Sequence, residues 1–530
     1  MHWAQSYDPL GNAFLSTIVA AVPVVILLGC IASGRVKAHV AALIGLASAV
    51  IIAVGVLGMP ASAAAAAVGM GAAYGLRPIG WIVLNIIFLY QLTKEHGAFD
   101  QMQAGIGTVS ADRRIQLVLI AFSLGAFFEG AAGFGTPVAI TGALLIGLGF
   151  SPLQASGLSL IANTAPVAFG AMGTPILALQ GVTGIDLLTL SKMVGRQVPV
   201  FAVAIPFWLI FAYDGWRGVR ETWPTLLVAG LSFAIPQFVM SNVHGPYLVD
   251  VVAGATSIIA VTAFVRMREG GARGPSTRGP LKPWIPWMLL CAFVFAWGLA
   301  PVKKALNAIY APQIHVPFLD GVVQRVPPVV AAVQAEPAIF SFNILSLTGT
   351  AILIAALLGG LVLGYSFRKM ASMYGRTLVI VWPSLVTIVA MLAIGYLTRY
   401  SGLDAILGLA FARTGVFYPL FGTMLGWLGV ALTGSDTASN VLFGSLQKIT
   451  ATQLGLSPVL MAAANSSGGV MGKMIDMQSI VVASTATRWY GHEGKILRFV
   501  FVHSLILALL VGVLALLQAY VAPFTAMVPR

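Results

Sequence analysis

Charge is what this sequence has least of. Its 530 residues include 29 Lys or Arg and 16 Asp or Glu, so 8% of the chain is charged, against about 25% in an ordinary soluble domain. Too few charges are present to cover a water-soluble globule or to solvate a disordered chain, which excludes both classes. Cysteine is nearly missing. Cys30 and Cys291 each lie inside an apolar run, which argues against a disulfide framework and a metal cluster. Long basic tracts are missing as well: the net charge of +13 is spread over many short loops, so no nucleic-acid partner is expected. No two of the histidines sit four or fewer residues apart and there is no His-Glu-x-x-His, so an intramembrane zinc protease or a pair of haem ligands lacks its residues. No enzyme, cofactor or metal is expected.

What is abundant is apolar surface: 58% of residues are hydrophobic and the mean hydropathy is +0.93. A helix needs about 20 apolar residues to cross a hydrocarbon core of about 30 Å. Ala13 to Ile31 is such a run, and the tail before it carries one acid and no base, unlike a cleaved signal, so it reads as a retained span. Similar runs recur as far as Ile496 to Ala519. Between Gly130 and Lys192, and again between Gly434 and Arg488, the pattern is interrupted by Gly, Pro, Ser, Thr and Asn. The fold expected is an all-α polytopic membrane protein of roughly 12 to 16 transmembrane segments.

Basic residues in short loops set the orientation. Arg35 and Lys37, then Arg266, Arg268, Arg273, Arg278 and Lys282 against Glu269, then Arg368, Lys369 and Arg376 mark cytoplasmic loops. The proline-rich stretch 301–342 balances Lys303, Lys304 and Arg325 against Asp320 and Glu336 and is placed outside. The chain thus divides into a first half, 1–265, a basic cytoplasmic loop, 266–283, and a second half, 284–530.

The interrupted regions, about 127–176 and 431–478, echo each other. Each opens with a polar-Gly step, Glu129-Gly130 and Thr433-Gly434. Each has a Gly-x-Ser-Pro turn, Gly149 to Pro152 and Gly455 to Pro458. Each continues to an Asn followed by small residues, Asn163-Thr164 and Asn465-Ser466, with a Gly seven residues on, Gly170 and Gly472. The first region is entered from the cytoplasm after Asp112-Arg113-Arg114 and the second from outside after Arg413. That parity predicts two inverted repeats with broken or re-entrant helices, the plan of many secondary transporters. Broken backbone is tolerated where it lines a protein cavity rather than lipid, and exposed half-helix N-termini there favour an anion.

The strings FFEGAAGFGTPVAI, NTAPVAFGAMGTPI, GSDTASNVLFGSLQ and AANSSGGVMGK resemble the lactate permease family of bacterial inner membranes, and the resemblance covers essentially the whole chain. It implies uptake of L-lactate, with D-lactate and glycolate, in symport with protons. It also implies a grouping with the ion transporter superfamily, where paired hairpins form a transport domain that moves against a scaffold, often in a homodimer. A proton-coupled carrier of another small carboxylate and an anion channel are the alternatives.

Site residues follow from the chemistry. Drawing an anion against an inside-negative potential costs about 2.3 kcal/mol per 100 mV, which co-transport of a proton removes, so a protonatable group is expected within the membrane. Glu129 stands in an apolar stretch with no local base, and a carboxyl that loses hydration is better neutral than charged. Asp436 sits near the equivalent place of the second half and is the other proton-coupling candidate. It could equally cap the helix that follows. Lys473 is the candidate carboxylate partner, with a simple surface pair to Asp476 as the bland alternative. Asn163, Thr164, Asn465 and Ser466 are small polar groups at expected hairpin tips, where they would contact substrate. Thr136-Pro137 and Thr174-Pro175 should interrupt helices, and Thr136 joins the substrate-binding candidates. The segment SGGVMGK is no phosphate loop, because Ser467 holds the first Gly position and Met474 follows the lysine.

Overall fold

The computed structural model describes residues 2–33, 35–98, 101, 109–133, 135–268 and 282–529. Most of the basic loop 266–283 lies outside the described residues, and only its edges, Arg266–Arg268 and Lys282–Pro283, are described.

Two inverted units form the interior. In the first, the helix Arg113–Ala131 runs inward from the face bearing Asp112, and the chain returns as Thr136–Gly147. A Cβ on Gly125 would lie 3.2 Å from the Thr141 methyl, and Arg113 reaches back to the Gly149 carbonyl, so the two arms are antiparallel. The chain then re-enters as Pro152–Ala162, unwinds, and resumes bent by 63° over Val167–Thr183. The second unit starts from the opposite face. Tyr418–Thr433 and Asp436–Gln453 are the arms of its hairpin, joined at Gly434-Ser435, and Tyr418 donates to Gln447 across them at 2.7 Å. Pro458–Gly472 follows, breaks at 473–476, and continues as Met477–Ala486.

The repeat in sequence is thus a repeat in space. Both Gly-x-Ser-Pro turns are built alike: Gly149 and Gly455 have φ of +84° and +67°, Ser151 and Ser457 cap the next helix, and the proline takes a first-turn position where its missing N–H costs nothing. The Thr-Pro steps begin helical segments rather than splitting them, for the same reason. The units interlock. Asn440 donates to the Pro175 carbonyl at 3.2 Å and Lys448 to that of Thr183 at 2.6 Å, while Ser156 and Thr487 share a hydrogen bond at 2.9 Å.

Small residues set the close approaches. Gly426 packs against the Asn465 backbone, and a Cβ there would overlap the Asn465 carbonyl oxygen. Gly426→Val is expected to separate Tyr418–Thr433 from Pro458–Gly472. An overpacked core costs about 1–3 kcal/mol or more, so size-exclusion chromatography in detergent should show little monodisperse protein.

Around this interior, Leu187–Val243 doubles back at Gly215 (φ 66°, ψ −162°), so Ser191 can donate to the Ser241 carbonyl at 2.9 Å. A second layer is built on Phe367–Ser401, which lies along Ala38–Gly55 and Ala61–Glu95. Among the described residues nine helices are long and apolar enough to cross a membrane, or eleven if each bent pair is one span. The larger number read from sequence counts separately the pieces of the two interrupted regions, such as the short arm Thr136–Gly147, and the two limbs of Leu187–Val243.

One face is covered by the stretch 310–347 and the N-terminal segment. Trp3–Ala4 pairs in parallel with Val323–Gln324, and Gln313–His315 pairs antiparallel with Ile339–Ser341. Gln5 donates to the Arg399 and Tyr400 carbonyls, and Glu336 is clamped by Arg325 at 2.9 Å and Arg399 at 2.6 Å. Asp320 accepts from the Ala338 N–H at 2.7 Å and lies 2.6 Å from His315, and these contacts hold its carboxyl below the usual carboxylate range.

Candidate functional site

Both hairpin tips and both helix breaks converge on one cavity of ≈ 210 Å³. Glu129, Gly133 and Gly135 reach it from the first tip, Thr433 to Asp436 from the second, Gly170, Ala171, Thr174 and Pro175 from the first break, and Lys473, Gln478 and Ser479 from the second. The opposite wall is Ser384, Thr387 and Met391 of Phe367–Ser401. Ile31 and Ala38 also border it, on the side of the basic loop that carries Arg35 and Lys37.

Glu129 is 5% exposed, and its Oε2 has no hydrogen-bond partner among the described residues. It lies so close to Gly170 that a Cβ there would sit 2.5 Å from Oε1. Asp436 is 3% exposed. Its Oδ2 accepts from Ser466 at 2.5 Å and from Asn440 at 3.3 Å, and its Oδ1 has no partner among the described residues. It is not the cap of its helix. Ser435 is, through the Ala438 N–H, because Asp436 already stands in the first turn and points sideways at Pro458–Gly472. Lys473 is buried as well. Its Nζ donates to the Gly434 carbonyl at 2.6 Å and lies 3.3 Å from Asp476 Oδ2. The Lys473–Asp476 pair therefore exists, but across a helix break in the interior rather than along a helix at the membrane surface. It fastens the second break to the second hairpin tip.

The remaining candidates do not form the cavity wall itself. Asn163 ends Pro152–Ala162, with its buried amide beside the Glu129 carboxyl. Thr164 bonds back to the Ile161 carbonyl. Asn465 and Ser466 are not at a tip, because their helix continues to Gly472. Asn465 is held by Gln447 at 3.1 Å and Asn440 at 2.9 Å, so its amide is engaged within the fold. Thr136 begins the returning arm of the first hairpin and is half-buried outside the cavity wall. Gly170 and Gly472 are not equivalent either: the first opens a left-handed turn over Ala171, Met172 and Gly173, while the second ends a regular helix.

Asp250 was not singled out from sequence. It is 1% exposed, at the start of Val249–Arg268, and abuts Gly130 beside Glu129. Gln237 donates to its Oδ1 at 3.3 Å and to the Ala165 carbonyl in the first break at 3.1 Å. A lone acid near the start of the apolar run Tyr247 to Val265 was the available signal. Asp250→Ala should leave the Gln237 amide short of an acceptor, at a cost of about 1–3 kcal/mol. Thermal unfolding in detergent should show a lower midpoint, which Asp250→Asn largely restores.

Four helix starts face the cavity. In the second unit, Asp436 and Asp476 lie at those starts. In the first unit, neither Thr136–Gly147 nor Gly170–Thr183 has a side-chain cap, so their positive ends are open to an anion. The cavity wall thus holds two carboxyls, one ammonium and two uncapped helix starts, an arrangement suited to a small acid and a proton.

A family model described as L-lactate permease matches residues 16–522. The chain is similar to glycolate permease GlcA of Escherichia coli (45% identical, covering 99% of both chains). It is similar to the L-lactate permease of the same organism (44%, covering 99% of this chain and 100% of that one). A third relative is the L-lactate permease of Bacillus subtilis (42%, covering all of both).

Proposed function

This chain belongs to the L-lactate permease family, and from that premise we propose that it takes up L-lactate, together with glycolate and D-lactate, in symport with protons. It is a multi-pass protein of the bacterial inner membrane and a permease rather than an enzyme. One observation carries the reading of mechanism: Glu129, Asp436 and Lys473, drawn from both inverted units, line one buried cavity.

The charges explain the coupling. With both carboxyls ionised and Lys473 protonated the wall sums to −1, and Asp476 already offsets Lys473. An arriving carboxylate would then meet like charge, at about 3 kcal/mol for a separation of about 5 Å and an effective dielectric constant of about 20. A proton on Glu129 removes one of those negative charges and the repulsion it exerts, so proton and anion bind together and leave together. Lys473 and the open helix starts of the first unit hold the substrate carboxylate. The 2-hydroxyl is left to the side chains of Ser479, Gln478 and Thr174, which border the same space.

Proteoliposomes with an imposed inward proton gradient test this. Labelled L-lactate should accumulate above its external concentration, and glycolate should compete. Lactate equilibration without accumulation would mean a channel, and preference for malate or succinate would mean a dicarboxylate carrier. Either result overturns the proposal.

A further inference from the structure

A second cavity, of ≈ 690 Å³, lies on the outer side of the first, beneath the stretch 337–348. The same two helices reach both. Thr174 and Pro175 border the inner cavity and Leu177 and Gly181 the outer one. Likewise Met391 borders the inner cavity and Tyr396, about one and a half turns on, the outer one. Tyr74 and Tyr396, with rings 5.7 Å apart, form part of the wall of the outer cavity.

The wall of this outer space is cationic. Arg77 stands at the kink of the apolar span Ala61–Glu95, with non-helical φ of −142° and ψ of 115°. No described carboxylate pairs with it. Its guanidinium lies 3.7 Å from the centre of the Phe342 ring and donates once, from Nη2 to the Ser341 carbonyl at 3.0 Å. Its Nε and Nη1 are buried and have no partner among the described residues. A guanidinium stacked on a ring keeps its N–H edge in the plane for a carboxylate. Arg77 is half-buried, at the break of the span and directly beneath residues 340–342. Lys303 also lines the space, its Nζ 5.8 Å from the Tyr247 ring and in no ion pair among the described residues. Arg399 is neutralised by Glu336. The acid in the wall, Asp186, is occupied in capping Leu187–Val243 through Thr189.

We propose that this outer cavity is a second binding site for small 2-hydroxy carboxylates, with Arg77 holding the carboxylate and Lys303 drawing it in, from which substrate passes to the inner cavity. The inference rests on the functional reading above. Arg77 contributes nothing to the inner site, so its loss weakens capture from outside only.

The test is sided. L-lactate counterflow is measured in right-side-out and inside-out membrane vesicles carrying the full chain, for the unaltered protein and for Arg77→Gln, Arg77→Lys and Lys303→Gln. Arg77→Gln should raise the outer KM by about tenfold or more while leaving Vmax and the inner KM in place, with Arg77→Lys intermediate. Lys303→Gln should raise the outer KM in the same sense, and its half-buried position keeps the test open if Arg77→Gln fails to accumulate. An unchanged outer KM in these variants, or an equal rise on both faces, overturns the outer site. Failure of the unaltered chain to move lactate would instead overturn the functional reading, and this inference with it.

Discussion

Glu129→Gln is expected to abolish uphill uptake of L-lactate while sparing exchange. Glutamine keeps the size and hydrogen-bonding reach of a protonated carboxyl but cannot release a proton. The inner cavity of the variant is fixed in the state that accepts an anion, so labelled lactate should still exchange for unlabelled lactate in counterflow. Accumulation driven by a pH gradient should fall to the level of empty liposomes. Alkaline pH, which strips the proton from Glu129 of the unaltered chain, should slow its exchange and leave that of the variant unchanged. Continued pH-driven accumulation by Glu129→Gln would take this carboxyl out of the coupling.

Lys473→Gln is expected to remove both modes. The ammonium binds the Gly434 carbonyl and Asp476, so its loss leaves Asp476 buried without a counter-charge, a situation that costs about 3–5 kcal/mol. It also frees the second hairpin tip from the second break. Exchange and accumulation should both fall by about a hundredfold or more, with a lowered thermal midpoint. Adding Asp476→Asn should return most of the stability, since no charge is then stranded, without returning transport. If the double variant transports as well as the unaltered chain, Lys473 is a strut and not a substrate ligand.

The two residues are legible in the sequence in different ways. Glu129 could be picked from sequence because an acid inside FFEGAAGFG has no local partner and no surface to reach. Lys473 could be picked too, but its pairing with Asp476 looked like a helix-surface contact, because i,i+3 spacing does not reveal that the backbone breaks between the two residues. The same limit misplaced Asn465 and Ser466. A run of small polar residues suits a hairpin tip and also suits tight packing between helices. Here Gly426 and Gly468 let neighbouring backbones come so close that the helix runs on to Gly472.

The inverted repeat was legible because its punctuation is chemical. A left-handed glycine, a capping serine and a first-turn proline at Gly149 to Pro152 and Gly455 to Pro458 can build few other things. Asp250 and Arg77 were passed over for the opposite reason. Each is one charged residue in a long apolar window, and only the fold shows that the first abuts Gly130 and the second borders a cavity. Nor could the sequence reveal that Ser384 and Thr387, ordinary small residues of a long span, form the wall opposite the hairpin tips.

The pairing of Trp3–Ala4 with Val323–Gln324 has a consequence for biosynthesis. The strand made first must wait for a partner that leaves the ribosome more than three hundred residues later, and Gln5 waits longer still for Arg399 and Tyr400. The helix Ala13–Ile31 therefore enters the bilayer before this pairing can form. The small sheet closes only after most of the polypeptide has been translated, so the earlier helices must hold together without it until then.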